Sequence, residues 1–134
     1  MSTEALLDTV AIDQLMARYN QSIDYGDPDA FAACFVPDGV LEFPGQRIEG
    51  TAAIREFCSS VPTTVPGLKH WTSNHQIDVH GDTASALVHL LMVVVGAEGT
   101  NVIGHGRYAD QLVRTADGWR YASRFMTPDA ALPG

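Results

Sequence analysis

A chain of 134 residues with 46% apolar and 18% charged side chains is long enough to bury a core without metal or disulfide staples, and too apolar for a disordered tail. Eight basic against sixteen acidic residues leave a formal charge of −8, a field that repels nucleic acid and anionic membrane surfaces. The whole chain, 1–134, reads as one domain, with no repeat, low-complexity tract or linker.

Apolar residues at Leu7, Ala11, Ile12, Leu15, Met16, Tyr19 and Ile23 recur with helical period, and Gly26 is a suitable stop, so a long first helix is expected from Thr3 to Tyr25. Asp27-Pro28-Asp29 supplies an N-cap, a proline at the first helical position and an acid in the first turn. A short second helix is therefore expected over Ala30 to Val36, ended by Pro37-Asp38-Gly39. Val40 to Phe43 reads as a strand entering the Pro44-Gly45 turn, with Gln46 to Glu49 as its return. Thr51 can cap a third helix over Ala52 to Cys58.

Beyond a proline-rich loop from Val61 to Gly67 the pattern is β: Leu68 to Val79, Thr83 to Val95, Asn101 to Thr115 and Trp119 to Met126. The turns between them are His80-Gly81-Asp82, Gly96 to Gly99 and Ala116-Asp117-Gly118. Helices first and a long meander after them predict an α+β domain, with a curved sheet wrapped around the helices into a cone that holds an apolar pocket. Cys34 and Cys58 have no framework or ligand spacing and read as buried reduced thiols. The opening Met-Ser-Thr-Glu-Ala-Leu-Leu-Asp has no basic or apolar signal region, which points to the cytoplasm, and the longest apolar run, Leu90 to Val95, is too short to span a bilayer.

Three residues could carry acid/base chemistry. Asp24 falls in the last turn of the first helix, where the helix dipole disfavours a carboxylate by roughly 0.3–1 kcal/mol. It is either a solvated helix-end acid or a partner that fixes the tautomer of a histidine. His70 stands early in a strand and shares a face with Thr72 and Asn74, whereas Ile77 and Val79 have the opposite parity. If both sets point inward, a β-bulge must lie between Asn74 and Ile77. A core histidine satisfied by one hydrogen bond is the alternative to a general base. Tyr19 lies on the apolar stripe, so its ring is buried and its hydroxyl needs a partner. Five residues along a helix turn the direction by about 140°, so Tyr19 and Asp24 would not stack on one face of an ideal helix, but they could still line one pocket from its wall and its rim.

Tyr108 and Asp110 share a face with Leu112 and Arg114 and are candidates to line the pocket. An ion pair of Asp110 with Arg114 or Arg124 is the alternative. His89 has outward parity, suited to a subunit interface, and His75, His80 and His105 form no constellation. Zinc-type spacing, a phosphate-cradling glycine loop and a nucleophile elbow are all absent, so neither metal nor cofactor is expected.

Ala17-Arg18-Tyr19 through Asp24-Tyr25-Gly26-Asp27, the Asp38-Gly39 turn, Gly50 to Ile54, His70 through Asn74, Gly81 to Ala84, and Gly106 to Asp110 through Asp117 to Arg120 occur in an order that covers nearly the whole chain. Together they resemble the SnoaL-like and scytalone-dehydratase-like branch of the nuclear-transport-factor-2-like (ketosteroid-isomerase-like) superfamily. The resemblance implies an aspartate near the end of the first helix paired with a histidine on the sheet, matching Asp24 and His70, and a catalytic tyrosine five residues before the aspartate, matching Tyr19. It departs from that pattern in three places. Val94 or its neighbour stands where scytalone dehydratase has a second histidine, Ile23 stands where it has a tyrosine, and the late arginine of the bile-acid dehydratase has no match after Trp119, Arg124 being nearby but out of register.

The expected function is a cofactor-independent, dehydratase-like lyase acting on a small hydrophobic alicyclic, polyketide-like or steroid-like substrate. His70, Asp24 and Tyr19 would be catalytic, and Asn74, Tyr108, Asp110, Phe43 and Val94 would bind substrate. The alternatives are a ketosteroid-isomerase-like proton shuttle and a non-catalytic binding or assembly domain. Leu87, Leu91 and Val93 on the outer sheet face imply a homo-oligomer, a trimer or a dimer, with neither nucleic acid nor membrane as partner.

Overall fold

In a computed structural model, which describes residues 1–130, helix α1 spans Thr3–Tyr25. Ser2 caps it by accepting from the Ala5 N–H at 3.1 Å, and Gly26 ends it in the left-handed region at φ 76°, where a side chain would be strained. The stripe of Ile12, Leu15, Met16, Tyr19 and Ile23 is buried, each such side chain contributing about 1.5–3 kcal/mol on leaving water. Helix α2 is Pro28–Ala32, shorter than the sequence suggests, because the chain turns at Ala33 and enters strand β1 at Phe35. Pro37-Asp38-Gly39 thus lies inside β1 (Phe35–Phe43), as an irregularity between two paired stretches. Strand β2 is Gln46–Glu49.

Helix α3 runs over Thr51–Thr64 and includes Pro62. The proline-rich segment from Val61 is therefore helical up to Thr64, and Gly50, not Thr51, occupies the cap position. A proline within the last turn costs only one backbone hydrogen bond, and the buried Ile54, Cys58 and Val61 hold that turn on the core. Four long strands follow: β3 Leu68–His80, β4 Thr83–Gly96, β5 Gly99–Thr115 and β6 Gly118–Pro128.

The sheet has six strands in the order β2-β1-β6-β5-β4-β3. Only β1 and β6 pair in parallel, and every other pair is antiparallel. It is curved and unclosed, with β2 and β3 as its edges, and the N-terminal helices pack against it. Helix α1 packs chiefly against β3.

Two irregularities decide which side chains face inward. In β3 the register shifts between Ser73 and Gln76, and Asn74 sits at φ 55°. His70 and Thr72 precede the shift on the inner side, and His75, Ile77 and Val79 follow it. In β6 the register against β5 shifts at Ala122, so the inward set changes from Trp119 and Tyr121 to Arg124 and Met126. At the N-terminal end a carboxylate ties α1 to the sheet: Asp8 accepts two hydrogen bonds from Arg114, at 2.7 and 2.8 Å, and one from the Trp119 indole N–H at 3.1 Å. No helix among the described residues is long and apolar enough to cross a membrane.

Candidate active site

Asp24 at the end of α1 meets His70 near the start of β3. The Asp24 Oδ1 lies 2.7 Å from the His70 Nδ1, and the His70 backbone N–H donates to both carboxylate oxygens at 3.0 Å. One carboxylate thereby grips both the ring and the backbone of the histidine. The cation that an acid at a helix C-terminus lacks locally comes from across the chain, because the Lys69 Nζ donates to the Asp24 carbonyl at 3.0 Å and lies 4.7 Å above the Tyr25 ring. Both site side chains are buried, His70 7% and Asp24 8% exposed. A carboxylate this close to Nδ1 fixes the proton there, which leaves Nε2 as the basic nitrogen; among the described residues Nε2 has no protein partner.

His70 forms part of the wall of an apolar cavity of about 170 Å³, with Tyr19, Leu41, Phe43, Leu90, Met92 and Tyr108 among its lining. The Tyr19 ring stands edge-on to His70 at 6.5 Å between centroids and to Tyr108 at 5.9 Å. Burial pushes the Tyr19 phenol well above its ordinary pKa and raises that of Tyr108 as well. Both therefore stay protonated at neutral pH and can only donate to, or accept from, a ligand as neutral phenols. Asp24 lies on the other side of His70, in a polar cleft shared with Asp13, Asn20, Lys69 and His75.

Beneath the tyrosines lies a group that sequence alternation places outside. Arg124 is fully buried, with its guanidinium 3.6 Å from the Tyr108 ring centre, 4.4 Å from that of Tyr19 and 4.7 Å from that of Tyr121. Its Nε donates to Asp110 at 2.9 Å and its Nη2 at 3.3 Å, while Nη1 and the Tyr121 hydroxyl are buried with no partner among the described residues. Burial raises the pKa of Asp110, against the opposing pull of Arg124. The bulge in β6 turns Arg124 inward; the signal available in the sequence was the change of parity between Tyr121 and Met126 along one strand.

The structure brings Tyr19, His70, Tyr108 and Phe43 to one cavity, with Asp24 behind His70. Three other residues expected to bind substrate lie elsewhere. Asn74 is exposed and bonds through its side chain to His89 at 2.9 Å, because its left-handed backbone turns it to the outer face. Asp110 is sealed off by Arg124. Val94 pairs with Leu68 and Asn101 near the end of β4, where β5 carries an extra residue at Ile103, and the wall is made by Leu90 and Met92 instead. Two other histidines have acid partners at the surface: His75 with Asp13 at 2.6 Å and His105 with Asp129 at 2.8 Å. Cys34 and Cys58 are buried free thiols, each pushed up to about 11 by burial. Among the described residues no group of three potential ligands could hold a metal ion.

Residues 4–124 match the family model of the SnoaL-like domain. An uncharacterised protein of Mycobacterium tuberculosis is 31% identical over 131 residues, covering 95% of this chain and 89% of its own length. A nuclear-transport-factor-2-like protein with a cystatin-like fold from Novosphingobium aromaticivorans superposes with a TM-score of 0.88 at 26% identity, over 96% of this chain and 86% of the other. From the same organism, a protein provisionally named scytalone dehydratase gives a TM-score of 0.85 at 24% identity, over 97% and 89% of the two chains. With its helices packed on a curved six-stranded sheet and a family match over almost its full length, the chain belongs to the SnoaL-like family of the nuclear-transport-factor-2-like fold.

Proposed function

We propose that this protein is a cofactor-independent lyase that eliminates water, or another β-leaving group, from a small hydrophobic alicyclic substrate. The observation that carries this reading is the 2.7 Å contact between Asp24 and the Nδ1 of His70, whose ring lines a cavity formed mainly by carbon. His70 Nε2 takes the proton from the carbon next to a substrate carbonyl, and the C–H electron pair passes into an enolate. Asp24 stabilises the imidazolium, and the protonated Tyr19 and Tyr108 donate to the enolate oxygen. The electron pair then returns to form the C=C bond as the β C–O bond breaks. The departing hydroxide takes the proton back from His70 and leaves as water, so the enzyme ends neutral. Arg124 does not itself line the cavity; it positions the tyrosines and places a positive charge beneath them.

His70 is the one histidine lining the cavity, which equally suits a ketosteroid-isomerase-like reaction in which the same base returns the proton to another carbon. Product mass separates the two, since elimination lowers it by one water and isomerisation leaves it unchanged. The test is His70→Ala assayed against a panel of β-hydroxy ketones. We expect turnover to fall by about 10²–10⁴, and unchanged turnover would overturn the assigned base. A binding domain without catalysis would give ligand binding and no turnover in either form.

We also infer that a second copy of the chain covers the outer sheet face. Leu87 (44% exposed), Phe125 (42%) and Trp71 (66%) stand on it, and Leu87, Ala109 and Phe125 form one cross-strand row. The double substitution of Leu87 and Phe125 by Glu should lower the sedimentation mass to that of the monomer, and an unchanged mass would remove this face from the interface.

A further inference from the structure

The cavity beside His70 measures about 170 Å³, well below the roughly 300–1,000 Å³ of sites that enclose drug-sized ligands. An engineered apolar cavity of about 150 Å³ in another protein takes up benzene. By that yardstick the space here accommodates one six-membered ring with a substituent, and neither a fused pair nor a four-ring skeleton. From this we infer that the substrate is monocyclic: a single alicyclic or aromatic ring bearing one carbonyl or hydroxyl, with Phe57 and Phe43 setting the size limit. The inference rests on the acid/base reading only for which ring atom faces His70; the limit on size rests on the walls.

The walls identify the residues that set it. Eight of the eleven lining residues are buried, and five of them, Tyr19, Ile23, Leu41, Leu90 and Tyr108, are each no more than 3% exposed. Only Phe43, Phe57 and Leu68 are half-buried, so the opening lies among β1, α3 and the start of β3. Phe43 and Phe57 meet there with ring centroids 5.7 Å apart. Phe57 is braced by Phe31 at 6.4 Å, and Phe31 in turn packs on Tyr19 at 4.7 Å. A continuous run of aromatic contacts thus connects the rim to the phenol at the reacting end. A ring chain of this kind resists sideways displacement, because moving Phe57 inward meets Phe31 and moving it toward β1 meets Phe43. Polar demand inside is small and placed at one end, where the His70 ring and two neutral phenols stand together. A ligand with one polar atom at the edge of an apolar ring satisfies that arrangement; a densely hydroxylated one would bury groups with no partner. Removing the Phe57 ring frees about the room that a second ring needs.

The experiment reads binding, not turnover. Cyclohex-2-enone, 1-decalone and androstenedione are titrated into the wild-type protein and into Phe57→Ala, followed by the backbone and methyl NMR signals of Leu90, Met92 and Met126. For the wild type we expect cyclohex-2-enone to bind at least tenfold more tightly than 1-decalone, with androstenedione shifting none of these signals. Phe57→Ala should bring 1-decalone to within threefold of cyclohex-2-enone or better. Phe57→Leu, which keeps the core filled, should give an intermediate ranking and serves if the alanine variant fails to fold. Wild-type affinity for 1-decalone or androstenedione equal to that for cyclohex-2-enone would overturn the inference. So would absence of binding by cyclohex-2-enone, or a ranking left unchanged by both variants. Repeating the titration with His70→Ala keeps the two readings apart: a size ranking retained without the imidazole supports the ring limit even if no β-elimination is ever observed.

Discussion

Asp24 occupies a position that local electrostatics disfavours, and what compensates comes from β3. The His70 backbone N–H, the His70 ring and the Lys69 ammonium all reach the last turn of α1, so an acid at the wrong end of a helix dipole becomes the group that docks the helix end on the sheet. Arg124 raises a sharper energetic question. A guanidinium with no exposure, paired to an equally buried carboxylate, has lost its hydration entirely, and such a pair often contributes little net stability. Removing one partner is a different matter, because it strands the other charge. Arg124→Met should therefore destabilise the fold by about 3–5 kcal/mol, and adding Asp110→Asn should recover a large part of that loss. Urea unfolding of the single and double variants measures both. If the double variant is no more stable than Arg124→Met, the Asp110 charge is not what makes the single change costly.

At the scale of elements, two one-residue irregularities do most to build the site. Without the shift in β3, one face would hold His70, Thr72 and Asn74, and Ile77 and Val79 would point to solvent. Without the shift at Ala122, Arg124 would lie outside the sheet and the three tyrosines around it would close on a void. Asn74 is the residue that carries the β3 shift, at φ 55°, a conformation that asparagine and glycine tolerate and β-branched residues do not. Asn74→Val should cost about 1–2 kcal/mol, whereas Asn74→Gly should be within a few tenths of the parent apart from the lost bond to His89. Thermal melts of the two variants test this, and equal losses would mean that the side chain, not the backbone, holds the bulge.

For the molecule as a whole, the long-range tie between residues 8 and 119 governs how the first helix stays on the sheet. The Asp8 carboxyl is held below its ordinary value, first by the hydrogen bond from Arg114 and then by that from Trp119. A carboxylate with a depressed folded-state pKa contributes stability that is fully present above its unfolded value near 3.8 and is lost as pH falls through the lower folded value. Stability should therefore decline below about pH 4, and Asp8→Asn should flatten that part of the profile while lowering stability at neutral pH. Urea midpoints between acid and neutral pH check the sign; an equally steep acid limb in the variant would assign the acid sensitivity to other carboxylates.

Periodicity alone was enough to place α1 and its stop at Gly26, because a helix of 23 residues with one apolar stripe leaves few other ways to bury that stripe. The four long strands and their turns were legible for the same reason, as alternation bounded by glycine and aspartate. Pro62 misled because helix-breaking is a local tendency that packing overrides when a turn has Cys58 and Val61 to bury. The resemblance to SnoaL-like proteins, not local pattern, joined Asp24, His70 and Tyr19 as a set. Local pattern could not state that Asp24 and His70 touch, since 46 residues separate them and contact depends on how α1 crosses β3. Nor could it place Asn74 or Val94, or set Arg124 beneath the tyrosines, although an Asp110–Arg124 ion pair was one of the alternatives it offered. Side-chain direction in a strand reverses with every inserted residue, and where a bulge falls is decided by the neighbouring strand and the core beneath it, not by the strand's own sequence.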